Sequence, residues 1–417
     1  MIHYSSHMQS PYHWQRLPNG MRLATASLPH TECATLSIYI PAGSRHDPFG
    51  LAGLAHFMEH MAFKGTARRS AAQLSLDLEK TGAQANACTA EDHTVYDARG
   101  DASSLPLLAD VLSDMVWHSS LPPREIALER DVIHEEITMY EENPSDHIGD
   151  LISRSLWAPD PLGEPITGTH ESLDAITRNH LFEFCQNHHF RSDIVIAAAG
   201  PYSPAEFASL IAPFLPEESI APPPSIRPFQ QRQTSIPLVL HRETEQLQLA
   251  LAYHTAGRRH RSRHALRLLS ILLGEATSSR LFQKLREDKG LCYHVSSDLA
   301  LFEDTGSLEI SLGLDPESRD EALRLIEAEI QDLSKNGPSV DELERAKQIA
   351  ITANKFALES TFAQMSWVAE SLLFEGEIIT PADYRDRLMP VTVQDVRRVA
   401  QSLFHPHNQA MAEIRAL

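Results

Sequence analysis

Cysteine and long apolar runs are both scarce in this sequence. The four cysteines, Cys33, Cys88, Cys185 and Cys292, lie far apart and form no Cys-x-x-Cys pair, which argues against a disulfide framework and a thiolate zinc site. No segment approaches the roughly 20 consecutive apolar residues of a transmembrane helix. The polar, histidine-rich start at 1–14 also lacks the apolar core of a signal peptide. We therefore expect free thiols, no membrane partner and a cytoplasmic location.

Positive charge is also in deficit. The chain has 36 Lys and Arg residues against 56 Asp and Glu residues, so its formal net charge is -20. This charge disfavours nonspecific binding to nucleic acid, and we expect no nucleic-acid partner. The hydrophobic content of 42% and the charged content of 22% are those of an ordinary globular protein. Because 417 residues exceed the size at which a single core keeps growing, two domains of roughly 200 residues each are predicted.

A proline-rich stretch divides the chain almost in half. Residues 215–234 include three consecutive prolines at 222–224 and show no hydrophobic periodicity, which is typical of an extended linker. We therefore predict an N-terminal domain at 12–217, a linker at 218–233 and a C-terminal domain at 234–417.

The two halves carry the same order of elements. The pattern Ala-Gly-x-Arg-His occurs at 42–46 and again at 256–260. Each copy follows an alternating apolar run, Leu36–Ile40 or Leu247–His254, that predicts a half-buried strand. We predict an α+β protein made of two homologous domains, each with an antiparallel-rich sheet flanked by helices. The alternative is that two unrelated domains share a short pattern by accident.

Two histidines four residues apart suggest a metal site. On a helix, His56 and His60 project from one face and can offer two imidazole nitrogens to one divalent ion, with Glu59 on the adjoining flank. The flanking residues from Gly50 to Phe63 are mostly apolar, so this helix should be buried, and burying ionisable groups is costly unless something pairs with them. The alternative is an ordinary pair of solvated or hydrogen-bonded histidines.

The second half cannot repeat this site. At the offset that relates the two copies of Ala-Gly-x-Arg-His, Ser270, Leu273 and Gly274 stand opposite His56, Glu59 and His60 in sequence. None of these three second-half residues is a metal ligand, so only the first half can hold a metal there.

A further ligand must come from elsewhere, because catalytic zinc takes three protein ligands and keeps one position open. The segment 123–142 is the candidate helix, and one face of it predicts a continuous buried stripe. The stripe consists of Glu129, Val132, Ile133, Glu136, Ile137 and Tyr140. Glu129 and Glu136 lie on one line two turns long, so one can bind the metal while the other supports the site; the alternative is that both pair with arginines. Two imidazoles and one carboxylate favour Zn²⁺, although manganese or cobalt could substitute.

The motif His56-Phe57-Met58-Glu59-His60, followed by Glu136 on the second predicted helix, resembles the pitrilysin family, which includes insulin-degrading enzyme and the mitochondrial processing peptidase. The resemblance implies that His56, His60 and Glu136 bind zinc, that Glu59 is the general base and that Glu129 assists. It also implies a zinc-dependent metalloendopeptidase that hydrolyses peptide bonds in short or unfolded peptides.

The resemblance extends along almost the whole chain. Residues 82–89, which include Asn86 and Ala87, are similar to the family's edge strand, on which substrate lies as an added strand. Residues 273–293 are similar to the family's second-half signature, which implies that Arg286 and Tyr293 contact the substrate. One departure is Glu275-Ala276, which stand in a loop that is often glycine-rich in relatives.

The resemblance also implies an assembly. Full-length relatives have four such domains arranged as a clamshell around the peptide, so this chain should form half of a clamshell. We expect a homodimer, or a heterodimer with a related metal-free subunit, that encloses the peptide between two subunits. Two other hypotheses remain open: a dedicated maturase of one small precursor peptide, and an inactive scaffold or assembly subunit of the same fold.

Overall fold

A computed structural model describes residues 10–222, 228–230 and 237–417. Half of the predicted linker at 218–233, namely 223–227 and 231–233, lies outside these described residues. All four cysteines are free thiols. Among the described residues, the helices are too short or too polar to cross a lipid bilayer.

The first half forms a six-stranded sheet with helices. Its strands are β1 (Tyr12–Arg16), β2 (Arg22–Ser27), β3 (Cys33–Ile40), β4 (Gln84–Thr89), β5 (Thr94–Asp101) and β6 (Val195–Gly200). Its helices are α1 (Leu54–Ala62), α2 (Ala71–Glu79), α3 (Leu105–Trp117), α4 (Pro123–Glu142), α5 (Pro144–Trp157), α6 (His170–Ala175), α7 (Arg178–His188) and α8 (Pro204–Ile211). The strand order is β1-β2-β6-β3-β5-β4, and only the β2–β6 pair is parallel.

The second half forms a five-stranded sheet of the same design. Its strands are β7 (Leu238–Arg242), β8 (Leu247–Ala256), β9 (Cys292–Leu301), β10 (Thr305–Leu314) and β11 (Gln409–Ala416). Its helices are α9 (Arg263–Ser270), α10 (Arg319–Lys335), α11 (Val340–Ala357), α12 (Thr361–Glu370), α13 (Pro381–Leu388) and α14 (Val393–Leu403). The strand order is β7-β11-β8-β10-β9, and only the β7–β11 pair is parallel.

The internal duplication is confirmed by these topologies. Without β1, the first sheet has the order β2-β6-β3-β5-β4, which matches β7-β11-β8-β10-β9 strand for strand, including the position of the parallel pair. The repeated glycines occupy equivalent places. A Cβ on Gly43 would lie 1.9 Å from the Ala90 carbonyl oxygen in the β4–β5 turn, and a Cβ on Gly257 would lie 2.6 Å from the Glu303 carbonyl oxygen in the β9–β10 turn. Close backbone approach therefore requires glycine in both copies.

Each half contributes one helix to the other half's sheet. Helix α12 buries Met365, Val368 and Ala369 against the first sheet, and α5 buries Ile148 and Ile152 against the second sheet. Complete burial of such a side chain stabilises the fold by about 1.5–3 kcal/mol. The two halves therefore share apolar cores.

This exchange of helices corrects one prediction. The run Leu36–Ile40 was expected to be a half-buried strand, but every residue of it is buried. One face of β3 packs on the helices of its own half, and α12 covers the other face, where Tyr39 lies. Strand β8 is also covered on both faces, because α5 packs on Ala250 and Ala252.

Candidate metal centre

Helix α1 begins at a constrained turn. Gly53 has a φ of +91°, and a Cβ there would lie 2.5 Å from the carbonyl oxygen of Thr167, so glycine is required. The carboxylate of Asp47 accepts hydrogen bonds from the backbone amides of Gly53, Leu54 and Ala55 at 2.8, 3.1 and 2.9 Å. These contacts satisfy amides that have no partner inside the helix. The start of the helix that carries His56 is thereby held in place.

Three predicted ligands converge between α1 and α4. The Nε2 atoms of His56 and His60 lie 3.2 Å apart, and Oε2 of Glu136 lies 3.7 Å from the first and 3.6 Å from the second. Ligands about 2.0–2.1 Å from a tetrahedral zinc ion would be roughly 3.3 Å apart, so these distances fit such an ion closely. Among the residues that the structure describes, this is the one group of three His, Cys, Asp or Glu side chains close enough to hold a metal.

The electrostatics of His56 suit a metal ligand. Burial, and next the neighbouring His60, lower the pKa of His56 to about 3, so the imidazole is neutral at physiological pH. Metal binding requires this neutral form. Its Nδ1 atom is buried and has no hydrogen-bond partner in the described part of the chain. The other nitrogen of His56, Nε2, faces Nε2 of His60 and Oε2 of Glu136, and a cation between these three atoms would give each of them a partner.

Glu129 orients the other histidine. It is 6% exposed, and its Oε1 lies 2.9 Å from Nδ1 of His60 while its Oε2 lies 2.5 Å from Nζ of Lys64. Burial raises the pKa of Glu129, but the hydrogen bonds from His60 and Lys64 outweigh burial and hold the pKa below its usual value. An ionised carboxylate only accepts hydrogen bonds, so the proton of His60 sits on Nδ1 and the Nε2 lone pair faces His56 and Glu136. Among the described residues, Glu129 pairs with His60 and Lys64, and Glu136 faces the two histidines, so the alternative of arginine partners for both glutamates is wrong.

Helix α4 spans the predicted residues, but its buried stripe differs from the prediction. Ile133 and Ile137 are buried with Glu129, whereas Val132 is 51% exposed and Tyr140 is 38% exposed. Val132 lies about 100° around the helix from Ile133 and points away from the contact. Tyr140 lies in the last turn of α4, which ends at Glu142.

Glu59 lies beside the three convergent residues and is half-buried. The Thr89 hydroxyl donates a hydrogen bond of 2.5 Å to its Oε2. Burial raises the pKa of Glu59 above its ordinary value of 4.5, and the Thr89 hydrogen bond partly opposes this rise. A carboxylate with a raised pKa is a better proton acceptor near neutral pH than a solvated one.

Strand β4, which carries Asn86 and Ala87, is the outermost strand of the first sheet, as the resemblance implied. It pairs only with β5, so its other edge presents backbone N–H and C=O groups that no strand of the described chain uses. The same strand ends at Thr89, the partner of Glu59. An extended peptide added along β4 would therefore pass the candidate metal centre.

Arg286 and Tyr293 stand together but apart from this centre. The Arg286 guanidinium lies over the rings of Phe282 and Tyr293, 4.7 and 4.8 Å from their centroids, and Tyr293 is 80% exposed. Among the described residues, the side chains of Arg286 and Tyr293 contact only residues of the second half. The structure of one chain therefore does not bring them to His56 and His60, and their contact with substrate stays a prediction.

Three supporting residues were missed by sequence reasoning: Asp47, Lys64 and Thr89. Lys64 follows the end of α1 and pairs with Glu129 on α4, so spacing along the chain could not have suggested this contact. Asp47 binds the first amides of α1 from the turn before that helix, and Thr89 reaches Glu59 from strand β4. The sequence has no local pattern that predicts either contact.

The equivalent place in the second half carries no ligands. The Ser270 hydroxyl lies 3.3 Å from that of Ser297, and a Cβ on Gly274 would lie 2.6 Å from the Ser297 backbone nitrogen. The segment Ile271–Glu275 is a π-helix packed closely on β9. The backbone of this segment therefore lies directly against β9 at the place that corresponds to the metal centre of the first half.

Comparison with known proteins identifies relatives of both halves. The sequence matches the model of the insulinase peptidases, peptidase family M16, over residues 22–170, and that of the peptidase M16 inactive domain over residues 175–350. An uncharacterized zinc protease of Streptomyces coelicolor is 32% identical over 394 residues, 93% of this chain and 86% of the relative. An uncharacterized zinc protease of Bacillus subtilis is 31% identical over 386 residues, 93% of this chain and 94% of the relative.

Solved structures share the fold. A protease from Helicobacter pylori has a TM-score of 0.89 at 21% identity, covering 97% of this chain and 99% of the other. A protein from Pseudomonas fluorescens, described as a peptidase M16 inactive domain, has a TM-score of 0.90 at 18% identity, covering 97% and 98%.

Proposed function

Because the chain belongs to the insulinase family of peptidases, family M16, we propose that it is a zinc-dependent metalloendopeptidase that hydrolyses peptide bonds in short or unfolded peptides. The observation that carries this proposal is the convergence of the His56, His60 and Glu136 ligand atoms, with Glu59 beside them. The zinc protease names of the relatives support the choice of metal.

The roles of the residues follow from their chemistry. His56, His60 and Glu136 would hold Zn²⁺, and Glu129 keeps the proton of His60 on Nδ1. When bound, the ion would supply Lewis acidity, which polarises the scissile carbonyl and lowers the pKa of a water molecule toward about 7. The Glu59 carboxylate would accept a proton from the attacking water and later donate it to the leaving amine. The Thr89 hydroxyl holds the Glu59 carboxylate at the end of β4.

Substrate would be held mainly through its backbone. Because β4 is an edge strand, a peptide can add to it by main-chain hydrogen bonds around Asn86 and Ala87, and such pairing tolerates many sequences. Pairing of this kind requires an extended chain, which favours short or unfolded substrates over folded ones.

The proposal includes an assembly of two subunits, either a homodimer or a heterodimer with a related subunit. Arg286 and the exposed Tyr293 form a cation–π pair, and among the described residues no contact joins this pair to the metal centre of the same chain. In a dimer that encloses the peptide, this pair would face the metal centre of the partner.

Metal content measured together with peptide cleavage tests the proposal. Wild-type protein should hold about one zinc ion per chain and cleave a quenched fluorescent peptide, while Glu136→Gln should lose both metal and activity. Glu59→Gln should keep the metal and lose activity by a factor of about 10²–10⁴. The matched control is Glu135→Gln, an exposed residue of the same helix, which should behave as wild type.

Other outcomes favour other functions. Unchanged metal content in Glu136→Gln would remove Glu136 as a ligand. Zinc-loaded protein that cleaves nothing in a peptide library would favour an inactive assembly subunit, and cleavage of a single peptide would favour a dedicated maturase.

A further inference from the structure

The turn between β4 and β5 lies next to the proposed general base, Glu59. Strand β4 ends at Thr89, whose hydroxyl donates a hydrogen bond to the Glu59 carboxylate. The next four residues, Ala90–His93, form the turn that leads into β5. The placement of this turn therefore decides where β4 ends and where the Thr89 hydroxyl meets Glu59.

Backbone contacts within the first half hold the beginning of the turn. The carbonyl oxygens of Ala90 and Glu91 each accept a hydrogen bond of 3.0 Å from a backbone amide of the loop that follows β3. These two hydrogen bonds fix the backbone of the first two residues of the turn. The side chains of the next two residues, Asp92 and His93, contact the second half.

Asp92 is bound by groups of the second half. Its side chain is 9% exposed, and its Oδ2 accepts hydrogen bonds from the Arg258 guanidinium at 2.5 Å and from the Glu303 backbone amide at 3.1 Å. Arg45 of the first half lies farther away, with its Nη1 3.8 Å from Oδ1 of Asp92. A buried carboxylate is costly unless it has partners of opposite charge. Arg258 is therefore the main partner that holds the tip of the turn.

Arg258 is itself held in one orientation. Its Nε donates a hydrogen bond of 3.0 Å to the carbonyl oxygen of Leu301, and its guanidinium lies 3.8 Å from the centroid of the Phe374 ring. The Phe374 ring also contacts the ring of His93, with centroids 5.3 Å apart. A guanidinium that has contacts on both its edge and its face is preorganised for a carboxylate. The second half therefore presents a fixed donor to Asp92.

The two halves hold each other's turns in a reciprocal way. The turn between β9 and β10 carries Asp304, which binds Arg45 of the first half at 2.7 Å. Among the described residues, a group of three side chains close enough to hold a metal lies only in the first half. Of the two turns, only the one that Arg258 holds through Asp92 therefore adjoins the candidate metal centre.

We propose that Arg258 and Asp92 are positioning residues of the peptidase, through which the second half holds the Thr89 hydroxyl against the Glu59 carboxylate. This inference rests on the proposed function, because it assigns a role in the same reaction. Both residues act through the turn at 90–93 and the end of β4. A misplacement of about 1 Å can lower the rate of an enzyme by about a hundredfold, so loss of this pair should lower kcat.

A double-mutant cycle of Asp92→Ala and Thr89→Val tests the inference, with kcat measured on one quenched peptide at a pH above the acidic limb of every variant. Asp92→Ala removes the hydrogen bonds from Arg258 and Glu303, so kcat should fall by a factor of about ten or more while the protein keeps its zinc. Thr89→Val should lower kcat at least as much. If Asp92 acts through Thr89, the double variant should be no slower than Thr89→Val alone, because the same contact is already lost.

Asp304→Ala is the matched control, because it removes the reciprocal ion pair and leaves Asp92 with Arg258. It should lower the melting temperature as Asp92→Ala does but keep kcat within about twofold of wild type. Asp92→Asn keeps the size of the side chain, so this milder second variant should show the same dependence on Thr89 with a smaller loss. Losses from Asp92→Ala and Thr89→Val that multiply, an unchanged kcat in Asp92→Ala, or an equal loss in Asp304→Ala would each overturn the inference.

Crystal structures of the variants provide a measurement that needs no activity. In Asp92→Ala, the Thr89 hydroxyl should lie more than about 3.5 Å from the Glu59 carboxylate, beyond hydrogen-bond distance, whereas Asp304→Ala should keep the contact. An unchanged contact in Asp92→Ala overturns the inference whatever the peptide assays show.

These measurements separate the inference from the proposed function. If zinc-loaded wild type cleaves no peptide but the contact is lost in Asp92→Ala alone, the peptidase proposal falls and the anchoring of Thr89 by the second half stands. If peptides are cleaved and the losses from Asp92→Ala and Thr89→Val multiply, the peptidase proposal stands and the anchoring falls. If no peptide is cleaved and the contact persists, both fall.

Discussion

The imidazole of His60 is held by Glu129, whose Oε1 lies 2.9 Å from its Nδ1 atom. This hydrogen bond places a buried carboxylate directly behind a predicted metal ligand, and Lys64 holds the second oxygen of that carboxylate. The proton is thereby kept on the nitrogen that faces away from His56 and Glu136.

Glu129→Gln should therefore weaken zinc binding. The neutral amide accepts a weaker hydrogen bond from His60 and leaves Lys64 without its counterion, so the dissociation constant for zinc should rise about tenfold to a hundredfold. Competition with a fluorescent chelator measures this change, with Glu135→Gln as the control. Unaltered affinity would show that Glu129 does not act through His60.

The Thr89 hydroxyl should set the acidic limb of activity. A general base works while ionised, so activity falls as the pH drops through the pKa of Glu59, which burial raises above 4.5 and the Thr89 hydrogen bond partly lowers. Thr89→Val removes that hydrogen bond, so the pKa should rise further and the acidic limb of kcat/KM should move to higher pH. Thr89→Ser keeps a hydroxyl and should show the wild-type pH profile. If the acidic limb of kcat/KM lies at the same pH in wild type, Thr89→Val and Thr89→Ser, Thr89 does not have this role.

The ion pair between Arg45 and Asp304 should stabilise the contact between the halves. Arg45 is 3% exposed and binds both oxygens of Asp304, at 2.7 and 3.2 Å, while Arg258 makes the reciprocal contact with Asp92. Asp304→Asn should lower the free energy of unfolding by about 1–3 kcal/mol in denaturant titrations. Asp386→Asn, in an exposed ion pair, should change it by less than about 0.5 kcal/mol, and an equal effect of both variants would refute the assignment.

The same pair has a defined pH dependence. Burial raises the pKa of Asp304, but the hydrogen bonds from Arg45 and the Phe229 amide outweigh it, so the folded-state pKa lies below the ordinary 3.8. Its stabilisation is complete above 3.8 and is lost as the pH falls through the lowered value. The difference in stability between wild type and Asp304→Asn should shrink over that acidic range.

Mixing two inactive variants should restore activity if sites form between subunits. Arg286→Ala protein keeps an intact metal centre, and Glu59→Gln protein keeps an intact Arg286 and Tyr293 pair, so a mixed dimer contains one complete site. Peptide cleavage after subunit exchange measures the recovery. Arg286→Ala mixed with a double variant lacking both Glu59 and Arg286 should stay inactive. Absence of recovery despite demonstrated exchange would count against a homodimer with shared sites.

The local elements of the site were predictable because helical spacing is a short-range property. The histidine pair is on α1, and α4 spans Pro123–Glu142, the range that the sequence predicted. The exposure of Val132 and Tyr140 was not predictable, because helical spacing assigns residues to a face but does not show which part of that face another element covers. The complete burial of β3 depends on α12, a helix from the other half of the chain.

The sequence by itself determined the duplication, because the same pattern stands in each half, and the pairing of His56 with His60, because residues four apart lie on one face of a helix. Only the tertiary structure decided that Glu129 supports His60, that Thr89 supports Glu59, that Glu136 meets the two histidines and that α5 and α12 each pack on the sheet of the other half. Each of these contacts joins residues from different elements, and their meeting depends on strand order and helix packing rather than on any spacing along the chain.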